Sequence, residues 1–488
     1  MGFTTLDYVI VAAYLVGVAL FGFLRGGKQR TAQEYFLGKE TIPWWVVCFS
    51  IVAAETSTLT FISIPGLAYL TNLNFLQVTF GYLLGRIAVS TILLPQYYKG
   101  ELSTAYAFLE TRFGVKTRRF ASGVFLFTRL AADGVRLFAT AIPLQLITDI
   151  SYPWAIILLA FVAFVYTFAG GVRGVIWVDA VQMVVYLGGA VAGALVLISA
   201  SGGGLTDALS LSSVNEKLNL LNFGFTKDFF QQPYTLIAGI LGGGFLSMAS
   251  HGTDQLIVQR VLTTKSLRAG QKALIGSGVI IIVQFAIFLL IGLLLFDHYQ
   301  GATLAQLGVG RSDAIFPKFI VEEFPSGLSG FIIAGLMAAA LSTLAGSMSS
   351  MASSAVLDLY KPIAGHGLDD KKVLKVSRVV TAIVAMMLVG TALFFMETDQ
   401  TVVELALSIA SFTYGGLLGT FLLGVLMKRP RQEDALAGFI AGILVMVTVI
   451  ALKLVAWTWF TLIGVAVTLI VGGLLSRLSP PGEEKLRQ

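Results

Sequence analysis

Between positions 53 and 60 the chain reads Ala-Ala-Glu-Thr-Ser-Thr-Leu-Thr, a carboxylate and four hydroxyls set inside an apolar run and followed by Pro65-Gly66. Serine and threonine in apolar helices often bond back to their own backbone and serve packing. Glu55 changes the reading, because an ionisable group at mid-membrane costs roughly 2.5–3.5 kcal/mol and is functional by default. The β-branched threonines support a helix weakly, so this stretch is the expected site of a helix break. A broken helix frees backbone groups that can hold an ion or a solute.

A second polar interruption lies in Ala339-Ala340-Leu341-Ser342-Thr343, followed by Ala345-Gly346-Ser347. Small residues there serve close helix approach, or the hydroxyls of Ser342 and Thr343 serve as ligands with backbone oxygens. Sodium is a hard cation that accepts carbonyl and hydroxyl oxygens, and an unwound 53–60 segment opposite would complete its shell.

Arg129, Asp133 and Arg136 are spaced four and three apart, which places them on one helix face. Such a ladder cannot face lipid. It is either a structural ion pair or a device that presents Arg136 to a solute carboxylate. Asp179 and Asp254 stand near the ends of two further apolar runs, within reach of Arg173 and Arg260 as plain anchors.

These groups need helices to position them. Of 488 residues 56% are hydrophobic and 12% charged, about half the usual charge fraction. Apolar runs long enough to cross a bilayer recur from Leu6 to near Arg477. They predict an all-α membrane protein forming a single transmembrane domain over 1–488, its first run a retained helix. Thirteen spans are expected, near 5–24, 43–69, 74–98, 120–147, 152–169, 174–200, 233–260, 269–296, 329–357, 373–396, 401–427, 433–452 and 456–476. The amphipathic stretch Ser103–Gly114 is expected on the cytoplasmic surface.

With the N-terminus outside, 25 of the 33 basic residues fall on inward loops, five fall outside, and Arg86, Arg129 and Arg136 fall within spans. That asymmetry predicts an N-out, C-in topology. The net charge of +6 is then a loop property and calls for no nucleic acid. Residues 43–200 and 233–427 become two five-helix units of opposite direction, with one leading helix (5–24) and two trailing helices (433–476). The single cysteine, Cys48, excludes an intrachain disulfide.

Two strings carry a resemblance. Gly170-Gly171 through Trp177-x-Asp179-x-x-Gln182, and Thr253-Asp254-Gln255 through Gln259-Arg260 to Thr264-Lys265-Ser266, resemble motifs of the sodium:solute symporter family. Gly424 to Lys428-Arg429 is similar to the end of that family's tenth span. The resemblance implies a leucine-transporter-type 5+5 inverted repeat. It implies sodium as the coupling ion, held by the carbonyls of Ala53, Thr56 and Ala339 and the hydroxyls of Ser342 and Thr343, with no other metal. Asp179 matches an aspartate on the ion-exit route. Where some members hold a second sodium with two serines, this chain has Ala345 and Gly346, so one sodium per cycle is expected.

For the solute, the resemblance implies contacts at Glu55, Ser57, Thr60, Thr79, Ser247 and Ser250, with Leu407 beside them, and the ladder adds Arg136. The set is poor in groups for a hexose, and with Arg136 opposite Glu55 it favours an organic acid or amino acid over a sugar. The chain is thus expected to act as a monomer in the lipid bilayer of a prokaryotic inner membrane, carrying a small solute with sodium by alternating access. One charge across ~100 mV is worth about 2.3 kcal/mol, and a tenfold ion gradient adds about 1.4. A proton-coupled carrier using Glu55 and a sodium/sugar symporter are the alternatives. No catalytic or metal motif points to an enzyme.

Overall fold

The computed structural model describes residues 4–478 apart from 39–40, 57, 100–101, 149, 202–203, 206–208, 210–211, 226, 365–368 and 398–401. Of residues 59, 143, 146–148, 212–213, 215, 397, 402–408 and 410–411 only the backbone is described. Every regular element among the described residues is helical. In an apolar medium a helix satisfies its backbone within its own segment, so apolar runs of this length need no partner strand.

The first half comprises α1 (Thr5–Gly26), α2 (Ala32–Leu37), α3 (Trp44–Glu55), α4 (Thr58–Leu70), α5 (Leu76–Ile92) and α6 (Leu94–Lys99). It continues through α7 (Ala107–Phe113), α8 (Val115–Thr148), α9 (Tyr152–Ala200) and α10 (Ser212–Lys217). The second half comprises α11 (Gly243–Gly252), α12 (Gln255–Val261), α13 (Leu267–His298), α14 (Ile315–Glu323), α15 (Leu328–Ser354) and α16 (Lys361–Ala364). It closes with α17 (Asp370–Phe394), α18 (Val402–Leu426), α19 (Gln432–Ala451) and α20 (Phe460–Leu478).

Among the described residues eight helices are long and apolar enough to cross a membrane, or nine when α3 and α4 count as one bent span. Four features separate this number from the thirteen expected spans: the 233–260 span is broken into α11 and α12, α18 counts only as a shorter apolar helix over Phe412–Leu426, and α8 and α9 differ as follows. Helix α8 carries the ladder and its basic N-terminal turns, which dilute its hydropathy. Helix α9 runs 49 residues without a loop, about twice what one bilayer core needs. It is interrupted only at Gly171, whose φ of 57° and ψ of −166° leave helical geometry. That residue packs against the Tyr35 carbonyl, where a side chain would not fit.

The expected break appears. Helices α3 and α4 are bent by 61° across the polar stretch, and Thr56 takes an extended conformation (φ −77°, ψ 112°). A second break divides α11 from α12 at Thr253-Asp254, where Asp254 Oδ1 accepts from the Leu256 N–H at 2.8 Å as an N-cap. Helix α7 does not lie free on a surface. Ala107, Phe108, Leu109 and Phe113 are buried, and Arg112 donates to the carbonyls of Gly424, Met427 and Pro430 at the C-terminal end of α18.

Helix α15 is the centre of the molecule, with nearly all of its residues buried. It packs on α9, α1, α8 and α3.

Candidate functional site

Helix α3 ends where Thr56 N–H makes its last helical bond, to Val52 O at 2.8 Å. The carbonyls after Val52 therefore project past the helix end without a continuing turn in α3. They carry the partial negative charge of the helix C-terminus, which suits a cation. Thr343 of α15 reaches this end, its Oγ1 lying 3.4 Å from Ala54 O and 3.1 Å from Ala339 O. Ala53, Thr56, Ala339, Ser342 and Thr343 are all buried. The Thr56 hydroxyl is engaged with Gln284 of α13, at 3.0 and 3.2 Å. That bond fixes the side chain and leaves the Thr56 carbonyl to the break.

Ser342 turns toward Asp179 and donates to Oδ1 at 2.6 Å. The other oxygen, Oδ2, accepts from Ser50 Oγ at 2.5 Å and from Arg260 Nη2 at 2.9 Å and Nε at 3.2 Å. Asp179 therefore joins α3, α9, α12 and α15 in one buried node. Its cation is Arg260, one of the two arginines expected near it. Gly346 lines the same place, since a Cβ there would sit 2.4 Å from Arg260 Nη2.

Asp254 departs from expectation. Its partner is neither Arg173 nor Arg260 but Arg129, at 3.1 Å, with the Tyr414 hydroxyl donating at 2.6 Å. The break between α11 and α12 turns Asp254 toward α8, while Arg260 lies nearly two turns further along α12. The ladder itself forms as the spacing requires: Asp133 meets Arg129 Nη1 at 3.2 Å and Arg136 Nη1 at 3.1 Å. Ser347 of α15 donates to the same carboxylate. Buried charge is tolerated here because each group is paired and hydrogen-bonded.

Glu55 has a counter-ion that the sequence did not assign. Its cation is Arg86 of α5, which donates from Nη2 to Oε2; Arg136 is committed to Asp133. His251 Nε2 stands 3.4 Å from the same oxygen, and Arg86 Nη1 donates to Ser277 Oγ at 2.9 Å. Arg86, His251, Ser277 and Gln284 were not singled out from the sequence. A signal existed for Arg86, an ionised side chain within an apolar span; none existed for the other three.

The remaining expected contacts divide. Thr60 and Ser250 are partly exposed, and Ser250 Oγ lies 2.8 Å from His251 Nδ1. Thr79 and Ser247 are buried and donate to backbone, to Leu76 O at 2.7 Å and Tyr82 O at 2.9 Å. Their hydroxyls hold helices in place and present nothing to a solute. Ser57 and the Leu407 side chain lie outside the described residues. Thr140, one turn beyond Arg136, bonds Thr58 at 3.1 Å, which ties the ladder helix to the start of α4.

The profile of the Sodium:solute symporter family matches residues 35–442. Among curated proteins, the sodium/sialic acid symporter NanT of Aliivibrio fischeri is 28% identical over 97% of this chain and 93% of its own. The human sodium-coupled monocarboxylate transporter 2 is 27% identical over 90% of this chain and 71% of its own. Among solved structures, the substrate-bound outward-open state of a Na+-coupled sialic acid symporter superposes with a TM-score of 0.89. It is 26% identical, and the match covers 98% of this chain and 99% of that one. A nucleobase-cation-symport-1 family transporter shares the fold at 13% identity, with a TM-score of 0.55. The chain belongs to the sodium:solute symporter family and is a multi-pass, sodium-coupled solute symporter.

Proposed function

We propose that the chain takes up a small organic acid or amino acid, in preference to a sugar, with one sodium ion per cycle. The observation that carries this reading is the approach of Thr343 to the free end of α3. In the proposal sodium sits between that end and α15, held by the carbonyls of Ala53, Thr56 and Ala339 and the hydroxyls of Ser342 and Thr343. Bound there it fastens the two parts of the broken span to α15 and orders Glu55, Ser57 and Thr60 for the solute. The molecule then turns inward by alternating access, and the ion leaves past Asp179.

Helix breaks at the first member of each proposed five-helix unit, α3/α4 and α11/α12, support the 5+5 inverted repeat. Thirteen crossings, with α9 counted as two, and an N-out, C-in topology in a prokaryotic inner membrane complete the proposal, with the monomer as the working unit. Single-sodium coupling is supported by Ala345 and Gly346, which bring no hydroxyl to Asp179, and by Arg260, which already supplies its counter-charge. Arg136 and Glu55, both partly exposed, support a polar, charged solute. The named relatives are all sodium-coupled, and the proton-coupled alternative through Glu55 finds no support among them.

The test is sodium titration of uptake in proteoliposomes. Ser342→Ala or Thr343→Ala removes one oxygen ligand from the ion. A hydrogen bond to a charged group is worth about 1.5–3 kcal/mol, so the sodium needed for half-maximal uptake rises roughly tenfold or more. An unchanged requirement in both variants sinks the site.

A further inference from the structure

A cleft of about 420 Å³ opens on the flank of the molecule between the first part of α9 and α17, and every residue lining it is apolar. Ala160 and Ala385 are buried and form its floor, while Phe161 and Met386 are 60% and 66% exposed and form its rim. Exposed apolar side chains are ordinary on a chain that crosses a bilayer. A concave apolar strip that ends on an unpaired cation is not.

That cation is Arg378. One turn beyond the cleft on each helix, Phe168 of α9 and Arg378 of α17 meet, with Arg378 Cζ 5.8 Å from the ring centroid. Phe168 packs in turn on Phe164 in the cleft wall, with 5.1 Å between ring centroids. The guanidinium therefore closes one end of the strip. Arg86, Arg129, Arg136 and Arg260 each meet a carboxylate. Among the described residues Arg378 meets none, and its Nε is buried without a hydrogen-bond partner. Between Tyr152 and Val172, α9 carries no charged residue. Lys371 and Lys375 are exposed, and spacings of four and three put them on the Arg378 face of α17. Of the two acids at that end, Asp369 accepts from the Lys371 N–H as the N-cap. Asp370 lies about 100° round the helix from Lys371.

A guanidinium at the margin of the hydrocarbon calls for an anion from outside the chain. The strip beside it calls for a hydrocarbon tail, and a phospholipid carries both in one molecule. Its phosphate accepts two N–H groups of a guanidinium side by side. The dimensions agree. Ile157 to Phe168 spans about 16 Å along α9 at ~1.5 Å per residue, and one leaflet fills about half of a ~30 Å hydrocarbon core. Two further cations beyond Arg378 favour a headgroup with net negative charge, because a zwitterion would bring its own ammonium against Lys371 and Lys375.

We propose that the cleft between α9 and α17 binds one anionic phospholipid of the surrounding bilayer, its acyl chain lying along the cleft and its phosphate on Arg378. In the proposed topology this lipid belongs to the cytoplasmic leaflet.

The experiment is native mass spectrometry of the full-length, detergent-purified protein titrated with dioleoyl phosphatidylglycerol or dioleoyl phosphatidylcholine. Each basic residue near an anionic lipid headgroup contributes roughly fivefold to binding. The first phosphatidylglycerol is therefore expected to bind at least about fivefold more tightly than the first phosphatidylcholine. Arg378→Gln cuts that preference about fivefold. Lys428→Gln, the same change of charge at an exposed site beyond α18, leaves it as it was. Should Arg378→Gln fail to fold, Ala382→Trp fills the cleft and is expected to lose the first phosphatidylglycerol. Equal binding of the two lipids by the native chain overturns the proposal. So does an equal loss in Arg378→Gln and Lys428→Gln, which marks diffuse surface charge. A protein dimer that Ala382→Trp dissociates assigns the cleft to a second copy of the chain and overturns it too. The readout involves neither sodium nor solute, so such a failure leaves the proposed coupling as it stands.

Discussion

Ser342 Oγ donates to Asp179 Oδ1 at 2.6 Å, across two helices 163 positions apart in sequence. Arg260 holds the opposite carboxylate oxygen, so a hydroxyl assigned to the ion and a buried ion pair share one aspartate. Breaking one partner of a buried pair costs about 3–5 kcal/mol, because the other charge is left uncompensated. Asp179→Asn and Arg260→Gln are each expected to lower stability by that order. The double variant should cost less than the sum of the two, and chemical unfolding of the four proteins in detergent measures the coupling. Additive losses would show that the pair is not an energetic unit.

The ladder on α8 predicts an asymmetry. Asp133→Asn leaves Arg129 with Asp254 but strips Arg136 of its only bonded carboxylate among the described residues. Ser347→Ala removes one neutral donor from the same carboxylate. Asp133→Asn should therefore destabilise by about 3 kcal/mol or more, and Ser347→Ala by about 1–3. Differential scanning fluorimetry ranks the two, and the reverse order would discount the ladder as a charge network.

Lys217, at the end of α10, donates to Tyr69 O and Thr71 O at 3.0 Å and lies 4.4 Å from the Phe296 ring centroid. It caps the C-terminal end of α4, the second part of the broken span, where a cation meets the helix dipole. Burial lowers its pKa from the ordinary lysine value. With a folded pKa below the unfolded one, the fold disfavours the charged form, a cost present at lower pH and relieved as pH rises past the folded pKa. Lys217→Met keeps the stem over Phe296 and loses the hydrogen bonds to Tyr69 O and Thr71 O, for an expected loss of about 0.5–1.5 kcal/mol, the relieved desolvation offsetting the lost charge. A melting temperature unchanged from the native protein at neutral pH would remove the cap from the account.

Solute charge and ion stoichiometry together predict the response to voltage. An organic acid taken as its monoanion with one sodium moves no net charge, so the contribution of about 2.3 kcal/mol per 100 mV drops out. Accumulation then follows the sodium gradient alone, roughly tenfold for a tenfold gradient. Proteoliposomes with and without a potassium diffusion potential should reach the same plateau. A plateau that rises severalfold with inside-negative potential would show a neutral solute or more than one sodium.

Close helix approach at Gly81 is the last test. A Cβ there would lie 2.2 Å from Gly239 O and 2.8 Å from Gly244 N. Both contacts are backbone, which cannot swing aside as a side chain would. Gly81→Ala should force α5 away from α11, with a loss of about 1–3 kcal/mol and a weakened Glu55–Arg86 contact, since Arg86 lies on α5. Retained stability with native solute preference would sever that link.

What the sequence by itself determines here is what short-range physics governs. Long apolar runs satisfy their own backbone as helices, so membrane helices were legible without any knowledge of neighbours. Clustered hydroxyls and a carboxylate weaken a helix locally, and the break after Glu55 lay where they stand. Spacings of four and three put Arg129, Asp133 and Arg136 on one face, and their side chains meet as that geometry requires. Only the tertiary structure decided which face of each helix meets which other. Glu55 finds Arg86 across 31 positions, Asp179 finds Arg260 across 81, and Thr56 finds Gln284 across 228. Those pairings depend on the rotation and depth of whole helices, set by backbone contacts such as Gly81 on Gly239 and Gly292 on Pro65. No local pattern encodes such rotations, because the energy that fixes them resides in packing between segments far apart in the chain.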